Sequence, residues 1–79
     1  MKKGSIVKGL FITGIVDRVE GDIVRVKYTT HKPSNILYIA GNILTKNIKT
    51  PTKKEKEEYK KFLLKNGYSY YRGKVTKEL

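Results

Sequence analysis

The chain has 79 residues, of which eighteen are Lys or Arg and seven are Asp or Glu, giving a formal net charge of +11. It has one His and no Cys, so disulfide staples and the usual zinc ligand sets are excluded, and the length allows one small domain at most. No apolar run approaches the roughly 18 residues that span a bilayer, and the charge points to a polyanionic partner, nucleic acid first. The abundance of Lys, Ile, Asn and Tyr also fits the codon bias of an AT-rich genome, but such bias enriches Glu as well, and only seven acids are present.

The opening MKKGSIVKGLFITGIV pairs a basic start with an apolar stretch. Lys8, Gly9, Thr13 and Gly14 interrupt the stretch, and Asp17-Arg18 follow it. We therefore read it as structure rather than as a signal peptide, and the expected location is cytoplasmic. Residues 5–49 read as short strands, because β-branched residues dominate and Gly, Asn and Pro punctuate them. Ile6-Val7 and Leu10-Phe11-Ile12 supply one or two of these strands, with bulges or bends expected at Gly9 and Gly14.

GIVDRVEGDIVRVKY, residues 14–28, predicts a hairpin. Val24, Val26 and Tyr28 alternate with Arg25 and Lys27. A three-residue loop, Glu20-Gly21-Asp22, sets Val16 opposite Val26 and Asp17 opposite Arg25, which makes one face apolar and pairs charges on the other. THKPSN (30–35) reads as a loop, ILYIA (36–40) as a strand, and Gly41-Asn42 as a tight turn. ILTKNI (43–48) is either a returning strand or a short helical turn before a final strand.

The period then changes. In TPTKKEKEEYKKFLLKNG (50–67), Thr52 and Glu55 form a capping-box pattern, Tyr59, Phe62 and Leu63 make one apolar stripe, and Asn66-Gly67 is a stop signal. Lys53, Lys56 and Lys60 flank one side of the stripe and Lys54, Lys61 and Lys65 the other, with Glu57 and Glu58 beyond and within reach of Lys61. Leu64 falls outside the stripe. The stripe is expected to pack on the face that carries Val16, Val24 and Val26. A Tyr-rich basic tail (68–79) follows, in which Gly73-Lys74-Val75-Thr76 is a candidate edge strand. The organisation is thus a β unit over 1–49, a helix over 50–67 and a tail over 68–79, all in one domain.

The pattern G-x-V-x-x-V-x-G-D-x-V-x-V-x-Y from Gly14 to Tyr28 resembles the central hairpin of Src-homology-3-like barrels of the Tudor and KOW kind. Short strands at this spacing suit a small five-stranded barrel better than an open sheet, and the resemblance, which spans residues 4–49, is to that kind of fold; with the C-terminal amphipathic helix after it, the expected fold is mostly β with one helix. The resemblance implies a binding scaffold and carries no functional residue across. The acidic, Trp-containing groove of peptide-binding Src-homology-3 domains has no counterpart here. Nor does the aromatic cage of methyl-lysine readers, since Trp is absent and Tyr28 and Tyr38 are the clear barrel tyrosines.

No catalytic constellation emerges. His31 is the sole imidazole and sits beside a Pro-containing loop, Asp17 and Asp22 flank a turn, and GLFITG has no Lys-Ser or Lys-Thr step after its glycines. No enzyme activity, cofactor or metal is expected. The candidate contacts are Lys54, Lys61 and Lys65 on the helix, Tyr71, Arg72 and Lys74 in the tail, and Arg25 and Lys27 on the hairpin. Lysines suit phosphates as point charges, and with three arginines in the chain, base-specific reading is not expected. In the tail, Tyr68 and Tyr70 share one face and are expected to pack, leaving Tyr71 and Arg72 to stack on an unpaired base.

The expectation is a nucleic-acid-binding accessory protein, DNA or RNA, of an AT-rich genome or mobile element. It would act as a monomer or weak homodimer, without a membrane role. The alternatives are an interaction module or phage-type inhibitor gripping an acidic protein surface, and a structural subunit that associates through an edge strand.

Overall fold

The computed structural model describes residues 2–31 and 36–77. Its elements in chain order are β1 (Ile6–Lys8), β2 (Ile12–Glu20), β3 (Ile23–His31), β4 (Ile36–Leu44), a 3-10 turn (Thr45–Asn47), α1 (Lys53–Lys65), β5 (Tyr68–Tyr71) and β6 (Lys74–Lys77). The fold is mostly β with one helix. Strands β1-β2-β3-β4 form an antiparallel sheet in that order, and β5-β6 form a separate two-stranded one. One further antiparallel bridge, Lys8 to Lys49, ties the segment after the 3-10 turn to β1.

The β2–β3 hairpin corrects the predicted loop. Glu20 pairs with Ile23, so the loop has two residues, Gly21 and Asp22, with Gly21 at φ 57. Positive φ at the first central position is the type II′ arrangement, whose twist suits the flanking strands. Val16 still sits opposite Val26, because β2 inserts one extra residue, Asp17, between the Val16–Val26 and Arg18–Arg25 pairs. That bulge overturns the expected Asp17–Arg25 pair. Asp17 instead meets Lys27 at 3.1 Å, while Glu20 takes both Arg18 and Arg25.

A second irregularity lies further along the hairpin. Gly14, the predicted bend, is opposed by two β3 residues, Tyr28 and Thr29, and Tyr28 adopts φ 52. The chain bends just after Gly9, at Leu10 and Phe11, which stand exposed there rather than in a strand; β2 begins at Ile12. The predicted turn at Gly41-Asn42 is absent. β4 runs unbroken from Ile36 to Leu44 because its pairing with β3 continues through Val26–Gly41 and Arg25–Asn42. The helical alternative for the next segment corresponds to Thr45–Asn47. The loop expected at 30–35 begins later than read, since Thr30 and His31 belong to β3, and its remaining residues lie outside the described ones.

Two apolar clusters sit on opposite faces of β1 and β2. Val7, Val16, Val24, Val26 and Ile43 form one. Ile6, Ile15, Tyr59 and Leu63 form the other, with Tyr28, Leu37, Phe62, Tyr68, Tyr70 and Val75 packed against it. Successive strand residues point to opposite faces, so the Ile6-Val7 and Ile15-Val16 pairs each feed both clusters. The predicted packing of α1 on Val16, Val24 and Val26 is therefore corrected: the Tyr59–Leu63 stripe covers Ile6 and Ile15 on the other face.

Helix α1 begins as read. Thr52 accepts from the Glu55 amide, and the Glu55 carboxylate accepts from the Thr52 amide at 2.8 Å, which satisfies two amides at the first turn. Leu64 is exposed, and Glu57 pairs with Lys60 rather than with Lys61. The predicted tail is a hairpin. Tyr71 pairs with Lys74 across Arg72 (φ 48) and Gly73 (φ 78), the two positive φ values of a type I′ turn.

Candidate nucleic-acid interface

A basic concavity is built where the N-terminal segment, α1 and the β5–β6 hairpin meet. Gly4 and Ser5 extend the pairing of β1 with β2: the Gly4 amide donates to the Val16 carbonyl at 2.8 Å and the Val16 amide to the Ser5 carbonyl at 2.9 Å. The hairpin turn lies directly against this segment. A Cβ on Gly4 would stand 2.5 Å from the Gly73 carbonyl oxygen, so only glycine allows the approach. The Tyr70 hydroxyl fixes the contact by donating to the Gly4 carbonyl at 2.6 Å. Burial pushes the Tyr70 phenol up from its ordinary pKa, partly offset by a backbone hydrogen bond from Gly73, so it remains a neutral donor at physiological pH.

These contacts open a groove of about 560 Å³ lined by Lys2, Ser5, Ile48, Lys56, Lys60 and Tyr70, with no Asp or Glu in its wall. The Lys60 ammonium lies 5.8 Å from the centre of the Tyr70 ring, an approach suited to cation–π attraction. A second depression continues from it past Lys2, Lys3, Arg72 and Gly73, and a third, on the other side of Gly73, carries Lys27, Tyr28 and Lys74. The hairpin turn is therefore rimmed by cations from four separate stretches of the chain.

The sequence-predicted residues divide among these surfaces. Arg72 and Lys74 lie at the hairpin turn, and Tyr71, 68% exposed, stands beside them with the Arg72 guanidinium carbon 5.2 Å from its ring centre. Tyr68 and Tyr70 pack into the cluster beneath α1, with the Tyr68 ring 4.9 Å from that of Tyr28. Lys27 faces the third depression but is paired with Asp17, and Arg25 is held by Glu20 at 3.0 Å and by Asn42 at 3.4 Å. Lys54, Lys61 and Lys65 are exposed along the helix and line none of the three depressions.

Sequence reasoning did not single out Lys2, Lys3, Lys56 and Lys60. The last two stood out as one flank of the helical stripe, but nothing local says that this flank faces Lys2. Among the described residues, ion pairs engage Lys8, Arg18, Arg25, Lys27 and Lys60, and none engages Lys2, Lys3, Lys56, Arg72 or Lys74. The acids are thus concentrated on the β2–β3 hairpin and on α1, and the groove keeps most of its charge.

No group of His, Cys, Asp and Glu among the described residues could hold a metal ion, and no helix there is long and apolar enough to cross a membrane. Compared with protein-family models, with curated proteins and with solved structures, the chain matches none.

Proposed function

We propose that the protein is a non-enzymatic nucleic-acid-binding module: a small Src-homology-3-like barrel, with Lys49 as a vestigial fifth strand, whose helix and terminal hairpin frame a phosphate-binding groove. The observation that carries this reading is the acid-free groove in which Lys2, Lys56 and Lys60 converge, continued by Lys3 and Arg72. Lysine ammoniums spaced along a groove neutralise phosphates and position a strand without reading bases. The exposed Tyr71 beside Arg72 adds a flat surface for an unpaired base. A cytoplasmic accessory role in an AT-rich genome or mobile element fits the composition.

Salt-titrated binding to duplex and single-stranded oligonucleotides tests the reading. Log affinity is expected to fall linearly with log salt, and replacing Lys2, Lys56 and Lys60 together by Gln is expected to shallow the slope by about two to three units. The same exchange at Lys54, Lys61 and Lys65 is expected to change it less. The reverse ranking places the phosphates on the outer face of the helix. No nucleic-acid binding at low salt overturns the proposal in favour of an acidic protein partner.

A further inference from the structure

Strand β4 is the free edge of the four-stranded sheet, and its nine residues, Ile36–Leu44, contain no charged side chain and no proline. Eighteen of the chain's 79 residues are cationic, so an uncharged stretch of this length departs from the rest of the sequence. Lysine, proline and bulges are the usual protections of an exposed edge; β4 has neither lysine nor proline, and its pairing with β3 keeps one register on both sides of Tyr28, opposite Ile39, where the ladder lacks a pair. Ile36, Tyr38, Ile39 and Leu44 along it are all largely exposed.

We infer that β4 pairs with β4 of a second copy, antiparallel and about a twofold axis at Ala40. Pairing of identical strands is isologous, so a residue and its partner must lie symmetrically about one centre. With Ala40 on the axis, Ile36 falls opposite Leu44 and Tyr38 opposite Asn42 in the joined ladder. Exposed apolar residues thus stand in register at both ends, and Ala40, the smallest side chain of β4 after Gly41, stands where two copies of one residue must meet. No buried charge arises anywhere in the register.

Electrostatics favour a second copy over an acidic partner. The outward residues of β3 next to β4 are Arg25, beside Asn42, and Lys27, beside Ala40. Both are neutralised within the chain, by Glu20 and Asp17. Among the described residues, the cations without an ion pair lie around the groove, on α1 and, at Lys46 and Lys49, beyond the end of β4, so β4 itself approaches its copy with little repulsion and offers an acidic surface little excess charge. The joined sheet has eight strands and carries two basic grooves, which would act on one polyanion with a raised effective concentration.

The absence of cysteine allows a direct test. Residues facing each other across an antiparallel pair have Cα atoms about 4.5–5.5 Å apart, within disulfide reach. Ala40→Cys is expected to form a covalent dimer under mild oxidation far faster than Lys54→Cys on the exposed helix. Sedimentation equilibrium of the unmodified protein is expected to show a monomer–dimer equilibrium. Ala40→Lys, an exposed position that places two cations on the axis, is expected to shift it to monomer with the thermal midpoint of the dilute protein unchanged. A chain that stays monomeric and crosslinks no faster at residue 40 than at residue 54 overturns the inference. So does a dimer that survives Ala40→Lys. Neither result depends on nucleic acid.

Discussion

The Tyr59 hydroxyl donates to the Tyr28 carbonyl at 2.6 Å, joining the middle of the helix to the one β3 residue with positive φ. Tyr28 bends β3 where two of its residues oppose Gly14, and a bulky side chain in the left-handed region is strained. Tyr59 is buried, and burial raises its phenol pKa, so the hydroxyl is a permanent donor. Tyr59→Phe keeps the ring packing and removes that donor. Stability to urea is expected to fall by about 1–2 kcal/mol with an unchanged denaturant slope. A neutral effect would mean that the bulge is held by packing alone.

Arg72 is the second non-glycine with positive φ, and it occupies the first central position of a turn that favours Asn-Gly. Arg72→Asn relieves the conformation and is expected to stabilise the fold by roughly 0.5–1 kcal/mol. The same change removes a cation from the groove rim and is expected to weaken nucleic-acid binding. Opposite signs in the two measurements mark a residue kept for contact at the expense of stability. If both quantities stay level, neither the strain nor the contact matters.

The Glu55 carboxylate accepts from the Lys8 ammonium at 2.7 and 2.9 Å as well as from the Thr52 amide. The Lys8 hydrogen bond is the chief cause that lowers its pKa from the ordinary 4.5 to about 2. Between those values the unfolded chain binds more protons than the folded one, so stability rises with pH across that window. The contribution is complete above 4.5 and is lost as pH falls through about 2. Glu20, whose pKa Arg25 lowers, acts in the same sense. Glu55→Gln is expected to flatten the acid limb of the thermal midpoint measured from neutral pH downward. An acid limb as steep as that of the unmodified chain would assign the effect to other carboxylates.

The helix was legible because its signals are local: Thr52 and Glu55 cap it, and Tyr59, Phe62 and Leu63 repeat at its period. The hairpin was legible in its Val16–Val26 pairing but not in its loop. A bulge at Asp17 and a two-residue turn place those two valines together as well as a regular strand with a three-residue turn does. Alternation alone cannot separate the two solutions. The face that receives α1 is missed because Ile6 is read within a short apolar run and Ile15 is assigned to no face. The groove was hidden for a different reason: Lys2 and Lys60 line one groove beside the point where Gly4 docks on Gly73, an approach set by chain packing and not by spacing.

Tyr71 and Tyr68 offer a paired test of the hairpin. Tyr71 is 68% exposed beside Arg72, whereas Tyr68 packs against Tyr28 in the cluster beneath α1. Tyr71→Ala is expected to leave the thermal midpoint nearly unchanged and to weaken single-strand binding by about 1–3 kcal/mol, the usual worth of one stacked base. Duplex affinity is expected to change little, because paired bases hide their faces. Tyr68→Ala is expected instead to cost about 3 kcal/mol or more of stability, and to weaken both ligands equally through loss of folded protein. If Tyr71→Ala lowers duplex and single-strand affinity alike in a fully folded protein, the tyrosine contacts backbone and not bases. If it changes no affinity at all, the exposed ring has no part in nucleic-acid binding and belongs to a contact with another protein, where tyrosine supplies area at low entropic cost.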